Sequence, residues 1–176
     1  MYSMVIKKHL VSLLIILSVA FGVSLQSAAA DQSSTKISKE NPMSEASAKA
    51  FMRNWLTMID TNAPLNEYLK YLPDGDFEQW SYPNAEIKNV EHLQQYFQKT
   101  WGMIKKNTNK ISNLDATKIK GDRYQILTNV HWKGDIADGK SITKDLLYTL
   151  TVGEGTSAAD PKGQYPKIYK YKISSP

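Results

Sequence analysis

His131 is the side chain in this sequence best suited to moving a proton near neutral pH, because imidazole titrates there without a large shift. It stands in residues 122–152, DRYQILTNVHWKGDIADGKSITKDLLYTLTV, a stretch that also supplies Asn129 and Tyr148. Those two groups can orient a ligand carbonyl or hydroxyl. Each also has a plainer reading. Strand histidines are often hydrogen-bonded for structure, or face solvent where a bulge shifts register, and Asn129 and Tyr148 can simply satisfy one another. Other chemistries lack a basis in the chain. Without cysteine there is no thiolate, disulfide or lipoprotein attachment. After residue 30 the histidines are His92 and His131, with no ligand cluster beside either, so no metal site is expected. No Gly-rich phosphate loop or G-x-S-x-G elbow occurs, and no cofactor is expected.

The elements that must position these groups are two long strands joined at Asp138-Gly139, a dipeptide suited to a two-residue type I′ turn. Such a turn sets Ala137 against Lys140, Asn129 opposite Tyr148, His131 opposite Leu146 and Leu127 opposite Leu150. Side chains alternate across a strand. One face therefore carries Gln125, Leu127, Asn129 and His131 with Leu146, Tyr148, Leu150 and Val152. The other carries Tyr124, Ile126, Val130 and Trp132 with Leu147, and is too apolar to leave wet. A homodimer through that outer face is expected. The alternative cover is the C-terminal segment or the loop over residues 153–165.

Residues 1–30 read as an export signal: Lys7, Lys8 and His9, then an uncharged apolar run over residues 10–25, then Ser27-Ala28-Ala29-Ala30. The run is shorter than the roughly 20 residues of a spanning helix, so cleavage after Ala30 is expected over anchoring. Periplasmic or secreted localisation follows, with membrane contact only through the signal peptide. Residues 31–43 are polar and turn-rich, a flexible leader. From residue 31 onward 20 basic side chains face 17 acidic ones, a formal +3. That is too weak to argue for nucleic acid. The balance is uneven, with 7 basic and 10 acidic side chains in residues 31–103 and 13 and 7 in 104–176. One reading is a basic surface that attracts an anionic ligand; the plainer and preferred one is lysines that blunt exposed sheet edges and faces.

A first helix should start near Asn41-Pro42 or Ser44, with Phe51, Trp55, Met58 and Ile59 as its stripe, and stop at residues 60–62. A short second helix spans residues 64–72 and a short strand residues 77–82, closed by Pro83-Asn84. Asn89 caps a third helix from Val90 to about Ile104, whose stripe is Val90, Leu93, Phe97, Trp101 and Ile104. His92 lies beside that stripe, on the surface. Strands follow over residues 111–120, the central hairpin and residues 167–173. This α-α-β-α-β-β-β-β order is segregated, which argues for α+β with helices on one face of an antiparallel sheet.

The segments AKAFMRNWLTMID (48–60), DGDFEQWSYPNAEIKNVEHLQQYF (74–97) and GDRYQILTNVHWKG (121–134) resemble the SnoaL-like branch of the NTF2-like superfamily, over roughly residues 44–174. The resemblance rests on element order and apolar spacing. It implies a cone, in which a curved sheet wraps three N-terminal helices and leaves a pocket open at one end, and relatives that dimerise through the convex sheet face. Leu127, Asn129, Leu146 and Leu150 would then turn inward with His131 and Tyr148, and Trp55 and Trp80 would wall the same cavity. An exported domain that binds a small apolar or amphipathic molecule there, without catalysis, is the leading expectation. An isomerase, dehydratase or cyclase-like enzyme using His131 and Tyr148 is the alternative, and a protein-interaction module a third. Enzymes of this fold place carboxylates, tyrosines or histidines in the pocket. The two-residue turn puts Asp145 on the opposite face, and a three-residue turn would reverse that.

Overall fold

A computed structural model represents the protein and describes residues 36–38, 41–82 and 85–175, with the backbone alone at Trp101. The expected export signal, the start of the leader, Pro83-Asn84 and the Trp101 side chain lie outside the described residues. The chain forms α1 (Glu45–Asp60), α2 (Leu65–Leu69), β1 (Gln79–Tyr82), β2 (Ala85–Glu86) and α3 (Val90–Met103). Four strands follow: β3 (Ile104–Lys118), β4 (Arg123–Ile136), β5 (Ser141–Gly153) and β6 (Lys167–Ser174). They make one six-stranded sheet in the order β2-β1-β6-β5-β4-β3, antiparallel except where β1 runs parallel to β6. The α+β expectation holds, with β2 as an added short strand. Register shifts at Ile104/Lys106 and Ile111/Asn113 in β3, and in β6 opposite Thr151/Val152, where Tyr169 is the extra residue, bend these strands and curve the sheet.

Local chemistry sets the helix ends. Ser44 accepts from the Ser47 N–H at 3.2 Å while Ser47 Oγ accepts from the Ser44 N–H at 2.7 Å, a reciprocal cap that starts α1. Ala48, Phe51, Met52, Trp55 and Leu56 form its buried stripe, and α1 packs against β3 and β4. Each such large apolar side chain contributes about 1.5–3 kcal/mol by leaving water. Asn62, at φ 49°, turns the chain out of α1. Asn89 caps α3 through the His92 N–H at 3.1 Å. The third helix passes into β3 without a loop, so the strand starts seven residues earlier than the expected Ile111.

The central hairpin departs from the expected register by one residue. Its loop has three residues, not two. The Ile136 N–H donates to the Lys140 carbonyl at 2.8 Å, the Gly139 N–H donates to the Ile136 carbonyl at 3.1 Å, and Gly139 takes φ +86°. This is a turn closed by a glycine in the left-handed region, a familiar three-residue connection. The extra residue reverses the parity of β4 against β5. His131 now faces Asp145, Val130 faces Leu146, Thr128 faces Tyr148 and Ile126 faces Leu150. Tyr124, Ile126 and Val130 are buried inside, while Gln125, Leu127, Asn129 and His131 point out. The apolar outer face that motivated a homodimer is thus the inner face. The true outer face is polar, built from side chains such as Gln125, Asn129, Thr143 and Thr149, with Leu127 and Leu147 among them.

The described part of the leader, expected to be flexible, is tied down, and so is the loop over residues 153–165. In the leader, Ile37 and Met43 are buried. The Ile37 N–H donates to the Gln164 carbonyl at 2.8 Å and the Met43 N–H to Glu154 Oε1 at 3.0 Å. The connection between β5 and β6 is held by a Ser157–Asp160 bridge and by the Asp160 carboxylate, which accepts from the Gln164 and Tyr165 N–H groups at 3.0 and 2.9 Å.

Candidate functional site

A cavity of about 470 Å³ lies inside the curved sheet, between its inner face and α3. Tyr82 from β1, Tyr96 from α3, Trp132 from β4, Leu146 and Tyr148 from β5 and Tyr171 from β6 supply most of its ring and apolar surface. Tyr82 stacks on Tyr96 at 4.2 Å between centroids, and Tyr148 meets Tyr171 edge-on at 6.0 Å. Burial pushes the hydroxyls of Tyr82, Tyr96, Tyr148 and Tyr171 above the ordinary phenol range, and at Tyr148 the Asp60 carboxylate adds to the effect. These phenols stay protonated at neutral pH. They can donate and accept hydrogen bonds but cannot serve as bases.

Of the residues expected at this site, Leu146 and Tyr148 line the cavity. Trp55, Trp80 and Leu150 do not; they are fully buried behind it. There the two indoles brace Tyr171. Trp80 stacks on its ring at 4.5 Å, and Trp55 Nε1 donates to its hydroxyl at 3.4 Å. Leu127, Asn129 and His131 are corrected outright, because the three-residue turn sends them to the convex side. The His131 side chain is 54% exposed and its Nδ1 sits 2.8 Å from Asp145 Oδ1, itself 75% exposed. The histidine–aspartate pair that the two-residue turn excluded does form, outside the cone. Proton transfer in the cavity loses the base assigned to it.

Polar groups that the sequence reading passed over gather where α1 meets β3. Trp132 Nε1 donates to Asn107 Oδ1 at 3.1 Å, and Asn107 Nδ2 donates to Asn62 Oδ1 at 3.0 Å. Gly134 makes this possible, since a Cβ there would lie 2.4 Å from Trp132 Cζ2. The indole folds back over that glycine to wall the cavity. Asp60 ends α1, where the helix dipole disfavours a carboxylate. That misplacement is a signal readable in sequence. Burial pushes the Asp60 carboxyl above its ordinary value, even though Asn109 donates to it from its backbone at 3.2 Å and its side chain at 2.6 Å.

A second hollow of about 550 Å³ lies outside the cone, against α1 and α2. Its polar walls are largely engaged already: Asn54 Nδ2 donates to the Tyr71 hydroxyl at 3.0 Å and Lys70 pairs with Glu67 at 2.9 Å.

No family model matches the sequence, and no curated relative does. Solved structures do match. A hexachlorocyclohexane dehydrochlorinase of the LinA-type3 kind from Novosphingobium barchaimii is 16% identical, over 70% of this chain and 80% of that one, at a TM-score of 0.56. A protein described as a putative scytalone dehydratase from Novosphingobium aromaticivorans is 16% identical, over 71% and 78%, at 0.58. An NTF2-like superfamily protein from Salmonella enterica serovar Typhimurium is 13% identical, over 73% and 88%, at 0.59. The chain has the NTF2-like, SnoaL-like fold, an α+β cone. At such identities the likeness defines architecture and leaves activity to the site.

Proposed function

We propose that this protein is an exported domain that binds a small apolar or amphipathic molecule in the cone cavity without transforming it. The observation that carries the reading is the chemistry of the lining. Rings and aliphatic groups surround about 470 Å³, a volume suited to a molecule of a few hundred daltons. Among the described residues neither a histidine nor a carboxylate lines the cavity. Its tyrosines are held in the neutral form. Asp60, a carboxylate outside the lining that acts on Tyr148 through its charge, has both oxygens engaged by Asn109. Export rests on the pattern of residues 1–30, and the oxidising or reducing state of the compartment has no bearing on a chain without cysteine.

The test is native mass spectrometry of the protein purified gently from its exporting host. An additional mass of a few hundred daltons, lost on collisional activation, is expected. A bare chain that also fails to take up any apolar dye would remove the reading. The same spectrum reports oligomeric state, and with the outer face polar a monomer is expected.

A further inference from the structure

We infer that the ligand is an amphipathic anion, bound with its apolar body among the tyrosines and its charged head at the mouth between Lys99 and Lys144. The inference rests on the cone-binding reading above and deepens it. Lys99 lines the cavity from α3 and Lys144 from β5, so two exposed cationic side chains border it from different elements. Lys144 is the cross-strand partner of Trp132, so both side chains stand on the face of the sheet that lines the cavity. Both lysines are exposed, and among the described residues neither has a carboxylate at ion-pairing distance. No described lining residue carries negative charge.

The mouth is apolar between these charges. Met103, 49% exposed, lines the cavity from the end of α3, and Ile142, 39% exposed, lies two residues before Lys144 on the same side of β5. Apolar rim, cationic lips and aromatic interior together describe a site for a molecule with one anionic end and one greasy end. The rival occupant of an aromatic cage is a quaternary ammonium. Two lysines, the charged positions among the described lining residues, act against it, since a cation entering there meets like charge.

Two fluorescent dyes with the same aromatic body separate the possibilities. 8-Anilino-1-naphthalenesulfonate carries an anionic group; N-phenyl-1-naphthylamine lacks it. Both are titrated into the exported protein and into Lys99→Gln/Lys144→Gln, with Thr100→Trp filling the cavity as the control on location. The expected result is uptake of both dyes, lost in Thr100→Trp. The sulfonate should bind about fivefold tighter than the neutral dye at low salt, an advantage that shrinks as salt rises. The double lysine variant should lose that advantage while holding the neutral dye as before. Equal affinities, or a double variant that weakens both dyes alike, would overturn the anion inference and leave cone binding intact. Failure of both dyes to bind, or binding that survives Thr100→Trp, would overturn cone binding and the inference with it.

Discussion

Lys167 opens β6 with its ammonium 2.6 Å from Asp160 Oδ2, and both side chains are closed off from solvent. The same ammonium donates to the carbonyls of Lys70 at 2.6 Å and Tyr165 at 3.3 Å, so one buried cation ties the loop before β6 to the end of α2. Ile168, the next residue, donates its N–H to the Tyr71 carbonyl at 2.8 Å. Through these bonds the strand that carries Tyr171 into the cavity is fixed at its start. A buried charge needs this many partners to persist.

Lys167→Met should therefore destabilise the protein by about 3–5 kcal/mol in urea denaturation, because it strands the Asp160 carboxylate. The pH dependence follows from Asp160. Burial by itself pushes its carboxyl up, but the Lys167 ammonium and the Gln164 and Tyr165 N–H groups outweigh burial and leave it below the ordinary value of 3.8. A depressed folded value means the contribution is complete above the unfolded value and is lost as pH falls through the folded one. The gap between wild type and variant should narrow below pH of about 4. A loss under 1 kcal/mol at pH 7 would count against the latch.

Adjacent residues on β4 test the register. Ile126 is fully buried and Leu127 is 40% exposed, although the two-residue turn assigned them the opposite sides. Ile126→Ala should cost about 2–5 kcal/mol and Leu127→Ala under about 1 kcal/mol. Thermal or urea unfolding of the two variants decides it, and a reversed order would restore the other register.

That reversal shows what the sequence made legible. The core stripes of α1 and α3 follow from apolar spacing, and element order from that spacing with the caps and turn residues between; the cone is what the family resemblance implies. Leu146 and Tyr148 face inward, as alternation along β5 and the cone implied by the resemblance require. On β4 the even positions Tyr124, Ile126, Val130 and Trp132 are plainly the apolar set, and they do face in. The Asp138-Gly139 dipeptide, read as a two-residue turn, points the other way. Burial of a whole face involves far more free energy than the choice between two hairpin loops, so the pattern should have governed. The polar cluster around Asp60, Asn62, Asn107 and Asn109 was harder to see. It joins a helix end to a strand over 45 to 49 positions of sequence, and such pairings leave no periodic trace.

Gly134 is predicted to be essential to the cavity wall and not to the turn. Replacing it by alanine puts a Cβ within 2.4 Å of Trp132 Cζ2 and 2.6 Å of Cη2, so the indole must swing away and release Asn107. Overpacking of this kind costs about 1–3 kcal/mol. Gly134→Ala should lower the melting temperature, change the tryptophan emission and weaken dye binding together. An unchanged emission spectrum with full dye binding would show that the wall does not depend on this contact.

Asp60→Asn separates a structural carboxylate from a working one. The folded value of Asp60 is raised, chiefly by burial, so the group favours folding when protonated. Its contribution is complete below the unfolded value of 3.8 and is lost as pH rises through the folded one. At neutral pH the ionised form is therefore a cost, and the helix C-terminus adds to that cost. Asparagine keeps an oxygen for the Asn109 N–H while removing the charge. The variant should be as stable as wild type or more so at pH 7, by up to about 1 kcal/mol, with the difference closing as pH falls toward 4. Dye affinity should not fall. A clear destabilisation at neutral pH would mean that the Asn109 bonds need the full carboxylate and that burial is not the dominant influence on this group.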